Sequence, residues 1–199
     1  MRRRISLLAL GLSACMAWLG ASDASATVMV EVPLEQLVQR ADAIVHGTVT
    51  RTGTRLEMRE SGLEPQTLVT LRVHSWIAGE GGETVTLREL GGTWQGGGLR
   101  FEGTPQYTVG EEVVVFLERR AEAPHDLRTL EMVQGKFSVR HGVPGVPSIV
   151  RRDLDGIAFA RWADGRQTVQ APGEDPAMQL DAFLDFVRQV RRDRSGGER

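Results

Sequence analysis

The chain carries four histidines, His46, His74, His125 and His141. None lies four residues from another, none forms His-x-His, and no His-Glu-x-x-His occurs, so local spacing alone builds no metal site. A metal or general-base site has to be assembled by the fold, and His46 with His74, on neighbouring expected strands, is the pair placed to do it. Joined by a carboxylate, they would form a hydrolytic site. Scattered surface histidines are the competing reading, and the favoured assignment is no catalytic residue, no metal and no cofactor. Asp153-Leu154-Asp155-Gly156 begins like a calcium loop but lacks the third oxygen ligand and the distal Glu, and Arg151 and Arg152 precede it. It reads as a polar hairpin turn. A pair such as Glu89 and Glu102 flanks a glycosidic bond only at a separation that spacing does not reveal. Neither Gly-x-Ser-x-Gly nor a glycine-rich phosphate loop is present.

One stretch suits binding better. In Gly91-Gly92-Thr93-Trp94-Gln95-Gly96-Gly97-Gly98, five glycines flank a large aromatic, with Arg100, Phe101 and Tyr107 close behind. Such a loop lets Trp94 reach a ligand, with Arg100 and Tyr107 as companions. The alternative is a Trp folded back over one end of the domain, where indole area is worth burying. Trp76 poses the same choice, and the expectation is that it seats the C-terminal helix.

The elements that must position these residues are mostly short strands. Pro33 opens a short helix with Leu34, Leu37, Val38 and Ala41 on one face. Ile44–Arg51 reads as a strand that continues to Arg59 with a bulge or bend at Gly53. Residues 60–66 read as a turn. Thr67–Ile77 alternates clearly, with Val69, Leu71, Val73 and Ile77 on one side and Thr70, Arg72, His74 and Trp76 on the other. Thr84–Leu90 and Leu99–Glu102 follow. Val113–Leu117 is continuously apolar, the pattern of a central strand buried on both faces. Leu127–Val133 and Lys136–Arg140 read as a pair turning at Gln134-Gly135. Ile149–Arg152 and Ile157–Trp162 bracket the Asp153–Gly156 turn, and Asp164-Gly165 offers another hairpin. Asp175 as N-cap and Pro176 as first residue open a helix with Leu180, Phe183, Leu184, Val187 and Val190 on one stripe.

The first 26 residues set the address. Arg2, Arg3 and Arg4 precede an apolar run from Ile5 to Leu19, and Ala24-Ser25-Ala26 is a small-residue cleavage pattern. A signal peptide over 1–26, with the mature chain starting near Thr27 in the periplasm or the medium, is the expectation. The alternative is a lipoprotein acylated at Cys15, within Leu12-Ser13-Ala14-Cys15. The run falls short of the roughly 18 apolar residues that spanning needs. Cys15 is the only cysteine, so the mature chain has no thiolate chemistry. A formal net charge of −2 argues against a nucleic-acid partner. The domain layout is a barrel over 27–141, a hinge and β-hairpin extension over 142–175, a helix over 176–194 packed on the same domain, and a frayed tail over 195–199.

Ala41-Asp42-Ala43-Ile44-Val45-His46-Gly47-Thr48-Val49 is similar to the opening of small β-barrel domains exported by bacteria. Val69–Gly79 resembles their long second strand, and Tyr107–Leu117 resembles their Tyr-x-x-Gly-Glu strand. The layout resembles netrin-like modules, OB-type barrels that include the tissue inhibitors of metalloproteinases. Over nearly all of the mature chain the resemblance is to exported proteins of high-GC bacteria, which brings no activity with it. In the metalloproteinase inhibitors an N-terminal Cys chelates the target's zinc and disulfides hold the inhibitory edge. A chain starting at Thr27 without cysteine lacks that mechanism. The resulting expectation is a mainly β, antiparallel OB/netrin-like barrel or sandwich with a short N-terminal helix and a C-terminal amphipathic helix. Its expected role is a non-enzymatic accessory domain of the cell envelope that binds a protein or other polymer. A hydrolase at His46 and His74, and a purely structural envelope protein, are the alternatives.

Overall fold

The computed structural model describes residues 27–59, 62–120, 123–163, 165–173 and 175–197. The expected leader, Cys15 and the end of the expected tail lie outside them. In chain order the elements are β1 (Thr27–Val30), α1 (Leu34–Arg40), β2 (Ala43–Arg59), β3 (Gly62–Ala78), β4 (Thr84–Leu90), β5 (Gly92–Trp94), β6 (Gly97–Leu99) and β7 (Glu112–Arg120). Then come β8 (Ala123–Thr129), a 3-10 turn (Met132–Gly135), β9 (Lys136–Arg140), β10 (Ile149–Arg151), β11 (Ile157–Ala163), β12 (Arg166–Gln170), β13 (Met178–Gln179) and α2 (Leu180–Gly197). The protein is mainly β with two helices, as the pattern of short β-branched runs implies.

The continuous apolar run of β7 explains the architecture. Val113, Val115 and Leu117 face one cluster, with Val45, Val49, Val69, Leu71, Val85 and Leu87. Val114 and Phe116 face another, with Ile44, Leu37, Val38, Phe137, Phe183 and Val187. A strand buried on both faces has no use for alternation. One edge of β7 pairs with β2. Its other edge is shared, the first part by β9 and the second by β8. Since β8 also meets β4, in parallel at Leu87 and Leu127, the strands β2-β3-β4-β8-β7 close on themselves. That makes a five-stranded β-barrel. The remaining strands β9, β10 and β13 carry the eight-stranded sheet beyond the barrel.

Helices α1 and α2 cover the second cluster. Phe116, Phe137 and Phe183 meet at centroid separations of 4.8 to 6.4 Å. Burying each such ring stabilises by about 1.5–3 kcal/mol. Helix α1 starts after Pro33 as expected. Helix α2 starts later than its sequence suggests. Asp175 does not cap it. Its carboxylate accepts bonds from the backbone N–H of Arg152 and from the Arg152 guanidinium, at 2.7 to 3.1 Å. The chain then runs extended through β13 before the helix begins.

Several pairings differ from the local reading. Strands β8 and β9 are not hairpin partners, because the 3-10 turn between them redirects the chain and both pair with β7. The Asp153–Gly156 turn joins strands of different sheets. Strand β10 pairs with β9 and β13, whereas β11 forms the hairpin with β12 and pairs in parallel with β1. Four residues are too few for alternation to announce β1. Strand β3 begins at Gly62, inside the expected turn over 60–66. No helix among the described residues is long and apolar enough to cross a membrane.

Candidate functional site

The strand β2 presents Ile44, His46 and Thr48 to the helix-bearing face of the sheet, and β7 presents Glu112, Val114 and Phe116 beside them. In register, Thr48 lies opposite Glu112 and His46 opposite Val114. Ile44 and Phe116 are covered by the helices; His46 and Glu112 lie just beyond that cover, at 13% and 18% side-chain exposure. On β3 the register jumps from His46↔Ser75 to Gly47↔Val73, leaving His74 as the extra residue of a bulge. Bulges re-aim side chains. This one turns His74 toward His46, and the two rings meet edge to face with centroids 4.9 Å apart. The same step reverses the alternation beyond it. Trp76 packs with the barrel interior and donates its indole N–H to Gly82 O at 3.1 Å, while Ile77 joins the helix-bearing cluster. Trp76 is therefore not the seat of the C-terminal helix. Ile77, Phe116 and Phe137 belong to the cluster that holds it.

Glu112 is the hub. His46 Nε2 lies 2.8 Å from its Oε1, and His141 Nε2 lies 3.0 Å from its Oε2. A carboxylate only accepts, so both imidazoles donate. His141, in the loop after β9, also meets Ser148 Oγ at 2.9 Å through Nδ1. His74 Nε2 lies 3.0 Å from Thr48 Oγ1. Burial acts to raise the Glu112 pKa, but the bonds and charges of His46 and His141 outweigh it and hold the carboxyl below its ordinary range. Desolvation, then the neighbouring His46, lowers the pKa of His74, which favours its neutral, ligating form. Two imidazoles and a carboxylate offer ligand atoms within 4.8 Å of one another. Such a set can bind a cation or pass a proton.

The fold thus brings His46 and His74 together as strand adjacency implied, and leaves His125 elsewhere, exposed on β8. Glu112 and His141 were not legible as members. Glu112 follows Val109-Gly110-Glu111 and reads locally as a turn residue, and His141 reaches the site only because β9 pairs with β7.

The glycine-rich stretch forms the β5–β6 hairpin. Gln95 and Gly96 both have positive φ, at 48° and 80°, the signature of a tight hairpin turn whose twist matches its strands. Gly91 sits under it, where a Cβ would meet Leu99 O at 2.4 Å. Trp94 is 45% exposed, with Leu99 and Phe101 also open. Arg100 is exposed and pairs with Glu102 at 3.5 Å. Tyr107 corrects the expected trio. It packs with the barrel interior, its hydroxyl lies 2.6 Å from Thr129 Oγ1, and Lys136 Nζ sits 5.0 Å from its ring centre. Burial first, and then Glu89, pushes its phenol well above the ordinary range. Trp94 and Arg100 are surface groups; Tyr107 is structural.

Glu89 is also buried. Its Oε1 accepts from the Thr129 backbone N–H at 3.0 Å and hydroxyl at 2.6 Å. Burial raises its pKa despite those bonds and the charge of Arg128. It lines a cavity of about 310 Å³ with Glu118, Arg128 and Glu131. Glu102 lines a neighbouring cavity that shares Thr104 with this one.

Fold and site together define a small β-barrel protein bearing a histidine–carboxylate cluster on one face and an exposed aromatic hairpin. Compared with models of protein families, with curated proteins and with solved structures, the chain finds no match.

Proposed function

We propose that this is an exported accessory domain of the cell envelope that binds a protein or other polymer through the β5–β6 hairpin, without turnover. The observation that carries the reading is Trp94, a large aromatic left 45% exposed on a tight glycine hairpin. Large apolar side chains gathered on one surface favour association. Leu99 and Phe101 add apolar area, and Arg100 adds a charged group at the rim. Export rests on the leader, with its arginines, apolar run and Ala-Ser-Ala ending. The test is cosedimentation with purified cell-wall polymer and pull-down from envelope extracts, comparing the protein with its Trp94→Ala and Arg100→Ala variants. Loss of binding with Trp94→Ala supports the hairpin; undiminished binding removes it.

A second reading, a hydrolase, is favoured by the convergence of His46 and His74 on Glu112. It expects turnover in an esterase, glycosidase and peptidase screen that disappears with His74→Ala. The absence of any turnover removes it.

A further inference from the structure

We infer that His46, His74 and Glu112 form a binding site for a divalent transition-metal ion of the zinc type, on the helix-bearing face of the sheet and separate from the hairpin. The donor set decides the class of ion. Two imidazole nitrogens and one carboxylate oxygen suit zinc, copper or nickel, whereas calcium and magnesium need more oxygens than this cluster offers. Ligand atoms around a tetrahedral ion at 2.0–2.2 Å stand about 3.3–3.6 Å apart. Here the three lie within 4.8 Å of one another, with His46 Nε2 and Glu112 Oε1 at 2.8 Å. Closing on an ion therefore asks for a small outward shift of one pair and an inward turn of the exposed His74, which exchanges its bond to Thr48 for the ion.

The surroundings hold the ligands in place. His46 and Glu112 are largely buried side chains on strands paired with each other, so the β2–β7 ladder sets their backbone separation. His141 fixes the second oxygen of Glu112 and is itself fixed by Ser148, and Thr48 meets His74. Partners of this kind orient ligands in metal sites. Binding through Nε2 of His46 requires the tautomer with its hydrogen on Nδ1, so the ion takes the place of the hydrogen now shared with Glu112. Arg72, in register with Thr48, opposes a cation, and the Glu112 carboxylate offsets it.

The test is isothermal titration of the protein, carrying no polyhistidine tag, with zinc chloride alone. One zinc per chain is expected, weakened by at least about tenfold in His46→Ala and in His74→Ala. His125→Ala should bind as the parent does. Thermal unfolding in parallel should show a zinc-dependent rise in midpoint that His74→Ala removes, and because His74 is exposed this variant separates lost ligation from lost folding. No saturable zinc binding, or equal affinity in the parent and both site variants, overturns the site. None of these outcomes depends on the hairpin or on turnover.

Discussion

His46 and His74 meet edge to face, ring centroids 4.9 Å apart, because the bulge on β3 brings His74 against β2. The approach has a second requirement. A Cβ on Gly47 would stand 2.5 Å from the carbonyl oxygen of Arg72, closer than real atoms come. Glycine between His46 and Thr48 lets the two backbones close at the bulge.

Gly47→Ala should therefore separate β2 from β3 at the site. Overpacking of this kind costs about 1–3 kcal/mol. Urea unfolding should show that loss, and the imidazole resonances of His46 and His74 should shift together. Unchanged stability with unchanged resonances would mean that the strands do not approach as described.

The aromatic cluster under the helices should dominate stability. Phe116 is fully buried between Phe137 and Phe183. Phe116→Ala is expected to cost about 3–5 kcal/mol. Trp94→Ala, on the surface hairpin, should fall within about 0.5 kcal/mol of the parent. Denaturant titrations of the two variants give the comparison, and equal losses would contradict the placement of the core.

Glu89 should make stability depend on pH. Burial raises its folded-state pKa above the unfolded value of about 4.3. Its contribution is then fully present below that value and is lost as pH rises through the folded pKa. Glu89→Gln keeps a carbonyl oxygen to accept from Thr129 and carries no charge. Relative to the parent, this variant should gain stability in urea unfolding as pH rises above about 4.3, and the gain should level off once the raised folded-state pKa is passed. Parallel curves for the two proteins would show that Glu89 does not titrate in this way.

Asp175 should act on the sheet, not on the helix. It accepts three bonds from Arg152, whose guanidinium also lies 5.6 Å from the centre of the Phe137 ring. Asp175→Ala leaves a half-buried guanidinium without its carboxylate and should cost about 2–3 kcal/mol. Hydrogen exchange should speed up in β10 and β13 while the middle of α2 stays protected. Faster exchange confined to the first turn of α2 would restore the capping role.

The elements legible beforehand were those whose evidence is local. Alternation marked β3 and β4, continuous apolarity marked β7 as central, and Pro33 marked the start of α1. The bulge was not legible: alternation extended through His74 assigned Trp76 and Ile77 to the wrong faces, because a one-residue insertion reverses everything beyond it. Gly53 looked like the irregular point of β2, but the register shifts lie at Ile44/Val45, His46/Gly47 and Val49/Arg51. Asp175-Pro176 carries the local signature of a helix start, yet a charged partner brought in by β10 outweighs the unmet amides of a helix end.

Sequence by itself determined the residue types: a mainly β chain with one cysteine, three arginines before an apolar run, three well-marked strands and a Trp set among glycines. Those properties follow from side-chain chemistry and short-range periodicity. Only the tertiary structure decided that His46, His74, His141 and Glu112 converge, that Tyr107 turns inward while Trp94 stays out, and that β1 pairs with β11. Each of these depends on register between strands distant along the chain. Register is set by how two whole hydrophobic faces are buried together, which no short window of residues contains.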